Sequence, residues 1–189
     1  ARFQGGANAG HTVYKGKQKI ILHQIPSGIL TENCQCVLGN GMVIDPIDLV
    51  KELKMLTDNG VYFNGFIHVA TNAHIVTPVH KWIDSKSEEG SEQKIGTTCR
   101  GIGPAYVDKY NRCGIRALDL NKEEKLRKKV MDRLQNAIIS GELSESHRND
   151  IIPEIDQFLK DASIISPMVE DTFSMLHHMV DNEKNILLE

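Results

Sequence analysis

The residues from Lys94 to Leu120, KIGTTCRGIGPAYVDKYNRCGIRALDL, constrain this chain more than any other stretch. Gly96, Gly101 and Gly103 can take positive φ and let the backbone come close to a ligand. Thr97 and Thr98 add two hydroxyls. Pro104 suits the first position of a helix, where its missing N–H would have no partner anyway. The run after it carries Lys109, Arg112 and Arg116, and that three- or four-residue spacing predicts one shared helix face. Free N–H groups and the positive end of a helix dipole favour an anion, most simply a phosphate. The same residues also fit an ordinary capped turn, with Asp108 and Arg112 as a surface ion pair. No Walker A pattern is present to decide between the two.

A second candidate site lies near the beginning, at Gly5-Gly6-Ala7-Asn8-Ala9-Gly10-His11-Thr12. Small residues strip the loop of side chains, leaving backbone N–H groups and the Asn8 amide to face outward. His11 follows a glycine, so its imidazole can be presented to a bound ligand, and histidine is the side chain best suited to exchange a proton near neutral pH. The plainer alternative is a glycine turn with a surface histidine.

Around these two stretches the pattern alternates between strand and helix. Arg2 and Phe3 end a strand, and Val13–Tyr14 with Lys19–Leu22 flank a Lys-Gly-Lys-Gln turn as a β-hairpin. HQIPSGIL, from His23 to Leu30, reads as a supporting loop. Cys36–Leu38 and Met42–Ile44 read as two short strands around Gly39-Asn40-Gly41. Asp45-Pro46 then caps a helix to Asn59, ended by Gly60, with Ile47, Val50, Leu53 and Leu56 facing the core. Phe66–Ala70 is a further buried strand. His74, His80 and Trp82 are structural, because two histidines six residues apart without a cysteine or carboxylate cluster make a poor metal site. Ser85–Gln93 is polar and predicts a mobile surface loop. Beyond Asp119 a helix capped by Asn121 and Glu124 runs to Ile139, with Leu126, Val130, Met131, Leu134 and Ile138 as its apolar stripe. Helices follow over Ile152–Asp161 and Pro167–Asp181, the latter capped by Ser166. The whole predicts an α/β fold with a largely parallel central sheet flanked by helices.

At 189 residues the chain can bury a substantial core and would ordinarily be one domain. A net charge of −3 leaves no electrostatic footprint for nucleic acid. No apolar run is long enough to span a bilayer and no secretory signal is visible. Cys34, Cys36, Cys99 and Cys113 match no common zinc spacing, and they read as reduced thiols of a cytoplasmic protein.

The string GTTCRGIGPAYVDKYNRCGIR closely resembles the second signature region of the adenylosuccinate synthetase family, and QGGANAGHT resembles another segment of it. The resemblance continues through LHQIPSGIL and GNGMVIDP and so covers residues 2 to 120. It implies a P-loop-NTPase-like α/β domain and GTP-dependent ligation of IMP and L-aspartate to adenylosuccinate, GDP and phosphate through a 6-phosphoryl-IMP intermediate. It further implies His11 as catalytic acid, with Asn8, Ala9, Gly10 and His11 forming an IMP-binding turn. The Gly10 carbonyl would be offered to Mg2+, Thr98 would lie at the IMP 5′-phosphate, and Lys109 would have an active-site role. Arg112 would reach the partner's site in a homodimer. Cys99 stands where the family usually has glycine. The family also has a glycine-rich phosphate loop before QGG and a long downstream half. The chain is therefore expected to be an incomplete single domain (residues 1–120 the nucleotide-site part, 121–183 a helical segment) and inactive alone. Asn185–Leu188 reads as a strand that stops mid-run. A non-catalytic nucleotide- or phosphate-binding module, or a structural interaction domain, is the reading from another class.

Overall fold

Seven strands and six helices are assigned among the residues described by the computed structural model, which are 1–16, 18–90 and 98–189. Lys94, Gly96 and Thr97 of the expected anion-binding stretch lie outside them, as do Ser91, Glu92 and Gln93. Strand β1 (Arg2–Gly5) leads into a hairpin of β2 (His11–Lys15) and β3 (Gln18–Leu22), which pairs His11 with Leu22 and Lys15 with Gln18. The central strand is β4 (Cys36–Ile44); it pairs in parallel with β1 on one side and β5 (Ile67–Ala70) on the other. The two-residue β6 (His74–Ile75) continues beside the far end of β4, and β7 (Val169–Glu170) adds to β5. Every pairing in this five-stranded sheet is parallel, giving the order β1-β4-β5-β7 with β6 on β4.

The sequence suggested two short strands where β4 is one continuous strand of nine residues. The glycines do not break it. They let β1 approach: a Cβ on Gly39 would lie 2.9 Å from the Arg2 carbonyl oxygen, and one on Gly41 would run into the Phe3 carbonyl. Side chains alternate along β4 as a pleated strand requires. Leu38, Met42 and Ile44 enter the main core with Leu49, Leu56, Phe158 and Leu134, while Val43 meets Val76 and Ala105 in a smaller one. Each large side chain fully withdrawn from water there is worth about 1.5–3 kcal/mol.

Helix α1 (Pro46–Asp58) follows its local signals closely. Asp45 accepts from the N–H groups of Ile47 and Asp48, and Gly60 has φ +67° just past the end. Leu49, Leu53 and Leu56 are its buried apolar residues, and Ile47 and Val50 pack at the margin. Helix α2 (Pro78–Gly90) takes in Ser85 to Gly90, so this part of the expected surface loop is helical. Polarity there signalled a solvent-facing surface rather than missing structure, since Lys, Glu and Ser are tolerated on an exposed helix face.

Helix α3 (Ile102–Tyr110) is shorter than the basic spacing implied. Pro104 is its third residue, still within the first turn, whose N–H groups lack intrahelical partners. The helix stops because the Asp108 carbonyl accepts from both Cys113 N and Gly114 N at 3.0 Å, with Arg112 at φ +61°. A Cβ on Gly114 would lie 2.6 Å from the His74 ring, so the chain must turn there. Lys109, Arg112 and Arg116 therefore share no helix face. Asp108 is buried and bonded to His80 (2.9 Å) and Arg133 (2.7 Å), not to Arg112 at the surface.

Helix α4 (Glu123–Ile139) starts two residues after Asn121, which ends a 3-10 turn and caps nothing. Helix α5 (Arg148–Ile165) begins earlier than predicted and carries Pro153 in its first turns. Ser166 opens a 3-10 turn before β7, and the cap of α6 (Thr172–Asp181) is Asp171, which accepts from Phe173 N and Ser174 N. Residues 185–188 form no assigned strand, although Glu189 N donates to the Ala1 carbonyl at 2.9 Å. The four cysteines form no disulfide. No described helix is long and apolar enough to cross a membrane.

Candidate active site

In open parallel sheets, ligands bind outside the carboxyl ends of the strands. Here those ends are Gly5 of β1, Ile44 of β4 and Ile75 of β6. The turn from Gly6 to Gly10 leaves the sheet at that edge, and Asn8 to Thr12 are exposed. Beneath it Gly6 packs so closely that a Cβ would lie 2.6 Å from Ile102 Cδ1 and 2.8 Å from the Val43 carbonyl oxygen. The turn at residues 6–10 and the start of α3 are thus direct neighbours.

Two guanidinium groups hold consecutive carbonyls of the turn. Arg2 Nη2 donates to Gly6 O at 2.9 Å, and Arg100 Nη1 donates to Ala7 O at 2.7 Å. In a planar trans peptide the following N–H points opposite to the carbonyl, so fixing these oxygens also fixes the amides of Ala7 and Asn8. Arg100 also lies 3.8 Å from Asp48. The Tyr106 hydroxyl accepts from Gly5 N at 2.9 Å and donates to Gly41 O at 3.0 Å, fastening α3 to β1 and β4.

At the other side of the turn sits His23. A Cβ on Gly10 would meet its Cε1 at 2.9 Å, and its Nδ1 is buried with no hydrogen-bond partner. Burial first, and then the positive charge of Arg100, push the His23 imidazole below the usual histidine range. His11 is exposed at the first position of β2. The amino end of α3 already faces an anion within the chain: Gly101, at φ +72°, donates its N–H to Asp84 Oδ2 at 2.8 Å. Asp45, buried at the end of β4, pairs with Lys81.

The sequence-derived candidates therefore fall into two groups. Asn8, Ala9, Gly10 and His11 form one exposed turn, and the segment holding Thr98 is joined to it by Arg100 two residues on. Lys109 is two turns along α3 and donates to Gly41 O (3.0 Å) and Asn40 O (3.4 Å), under the Tyr106 ring. Burial pulls its ammonium below the usual lysine range. Arg112 lies past the far end of α3 from the turn and is exposed. Cys99 has φ +50°, the left-handed region that glycine adopts more readily than a residue with a Cβ. Sequence reasoning missed Arg2, Arg100, Tyr106 and His23. Arg100 was inside the signature string, but its spacing set it apart from the basic residues that drew attention.

Among the described residues, no group of three or more His, Cys, Asp or Glu side chains could hold a metal ion.

This arrangement defines an α/β protein with a candidate ligand site at the carboxyl edge of a parallel sheet, built on a glycine turn braced by arginines. A family model described as adenylosuccinate synthetase matches residues 1–189. The chain belongs to the adenylosuccinate synthetase family. It is 42% identical over 191 residues to adenylosuccinate synthetase of Chlorobium phaeobacteroides and 43% identical over 194 residues to that of Chlorobaculum tepidum. In both comparisons all of this chain and 44% of the relative are covered. The solved structure of fully ligated adenylosuccinate synthetase from Plasmodium falciparum superposes with a TM-score of 0.85 at 33% identity, again over 100% of this chain and 44% of the other. The chain thus spans less than half the length of the relatives it matches.

Proposed function

We propose that these residues form part of the active site of an enzyme that condenses IMP with L-aspartate, cleaving GTP to GDP and phosphate. The observation that carries the proposal is the junction of the Asn8–His11 turn with the Thr98–Gly101 segment through Arg100 and Ala7. In the reaction, the purine 6-oxygen attacks the γ-phosphorus and GDP leaves. The aspartate amine then attacks carbon 6 and phosphate departs. Such transfer depends on in-line positioning and on neutralised charge.

Asn8, Ala9 and Gly10 hold IMP along the turn, and Thr98 faces its 5′-phosphate. His11 acts as the acid that stabilises the transferred phosphoryl group. The Gly10 carbonyl would meet magnesium brought in with GTP, and the ion would supply charge neutralisation on the phosphates. Lys109 keeps an active-site role in this reading through the α3–β4 contact that it makes. In this reading Arg112 serves the site of a second subunit in a homodimer, and its exposure beyond the distal end of α3 is compatible with that role. This reading takes residues 121–183 into the same domain as the sheet, and the core that α4 and α5 share with it supports that assignment. The protein acts in the cytoplasm on soluble nucleotides, and the 189 residues by themselves are inactive.

The test is turnover of GTP, IMP and L-aspartate with Mg2+ by the intact protein, followed as adenylosuccinate formed. His11→Asn should lower kcat by about a hundredfold or more, the usual scale for loss of a general acid. Binding of IMP and GTP without turnover by the unsubstituted intact protein would favour the non-catalytic module instead.

A further inference from the structure

Arg2 is 7% exposed, an unusual setting for a guanidinium. Its two terminal nitrogens reach different segments: Nη2 donates to the Gly6 carbonyl at 2.9 Å, and Nη1 donates to the His23 carbonyl. Gly6 and His23 are the two ends of the excursion that leaves β1, runs through the turn and hairpin, and returns toward the core. One side chain therefore closes the neck of the segment that contains Asn8, Ala9, Gly10 and His11.

The surroundings make the fork specific. Glu52 accepts from Gln24 N at 2.8 Å and Ile25 N at 3.1 Å, anchoring the residues just beyond His23 and placing a carboxylate near Arg2. The β1–β4 register shifts between Arg2 and Gln4, and such irregularities re-aim a side chain. A planar guanidinium can serve two acceptors in fixed directions, whereas an ammonium acts as a single point charge.

We propose that Arg2 is a positioning residue for the ligation: forked between the Gly6 and His23 carbonyls, it fixes the Gly6–Ala7 peptide and locks the neck of the excursion, holding Asn8 to His11 ready for IMP. This rests on the functional reading above. Arg2 touches the backbone of the turn, and its effect on IMP passes through that backbone. Preorganised donors of this kind spare the site reorganisation when ligand binds.

The experiment compares the intact unsubstituted protein with Arg2→Met and Arg2→Lys, measuring kcat and the separate KM values for IMP, GTP and L-aspartate, with Tm for each. Arg2→Met is expected to raise the IMP KM about tenfold and lower kcat, with the GTP KM changed less than about threefold. Arg2→Lys should restore part of the loss. A general folding defect would instead lower the active fraction, reducing kcat with all KM values unchanged or altered alike. That pattern, or an unchanged IMP KM, would overturn the role. Should Arg2→Met fail to fold, Arg2→Lys is read alone, and an IMP KM equal to that of the unsubstituted protein overturns it. Absence of turnover by the unsubstituted protein overturns the functional reading itself, whereas normal turnover with indifferent Arg2 variants removes only this inference.

Discussion

Arg100 donates to the Ala7 carbonyl at 2.7 Å across 93 residues of sequence, and through that bond the segment after Thr98 meets the turn that bears Asn8 and His11. A charge-assisted bond of this kind is roughly twice as strong as a neutral one. It restrains the turn from the α3 side as Arg2 does from the β1 side.

Replacing Arg100 by methionine should leave the fold intact, because the side chain is only part-buried and α3 is independently fastened by Tyr106. Turnover should suffer more, with kcat/KM for IMP falling about tenfold to a hundredfold. Steady-state kinetics beside a thermal melt would check both halves of this expectation.

Gly41 and Gly103 should respond oppositely to alanine. A methyl group at Gly41 would collide with the Phe3 carbonyl and force β1 away from β4, at a cost of about 1–3 kcal/mol or more. Gly103 lies in α3 with nothing within 4 Å of a Cβ, so alanine there should stabilise by up to about 1 kcal/mol. Urea midpoints at constant slope would report the two signs.

Cys99 occupies φ +50°, and left-handed backbone costs a non-glycine residue about 1–2 kcal/mol. Glycine would relieve that strain but lose about 0.5–1 kcal/mol to unfolded-state entropy. Cys99→Gly should therefore be neutral to mildly stabilising, while Gly101→Ala, at φ +72° and 2.8 Å from Lys81 N, should be clearly destabilising. Equilibrium unfolding of the pair would decide the matter.

Asp108 supplies the pH dependence. Burial pushes its carboxyl up, yet hydrogen bonds from His80 and Arg133 outweigh that, so it lies below the usual aspartate range. A depressed folded pKa means that stabilisation is complete above the unfolded value near pH 4 and is lost as pH falls through the folded one. Asp108→Asn should cost about 3 kcal/mol at pH 7 by leaving Arg133 and His80 without their buried anion. The difference between the two proteins should narrow below pH 4; a gap that stayed constant to pH 2 would contradict this account.

The elements readable in advance were those whose signals are contiguous. Asp45-Pro46 and Gly60 bound α1 because a cap and a terminating glycine act within a turn of the helix. The β2–β3 register follows from its short turn. Polar composition over Ser85–Gly90 misled because it reports solvent contact, and a helix with one wet face satisfies it. Gly39 and Gly41 looked like interruptions since nothing local reveals that another backbone must pass against them.

The sequence by itself determined the family, the alternating α/β order, and the identity of the turn residues Asn8, Ala9, Gly10 and His11. It did so through strings of neighbouring residues, where spacing alone carries information. Only the tertiary structure decided that β4 is unbroken, that Asp108 turns inward to His80 and Arg133, and that Arg2 and Arg100 grip adjacent carbonyls of one turn. Those outcomes depend on groups up to 93 residues apart meeting at hydrogen-bonding distance, and chain spacing does not encode which distant carbonyl a guanidinium will find.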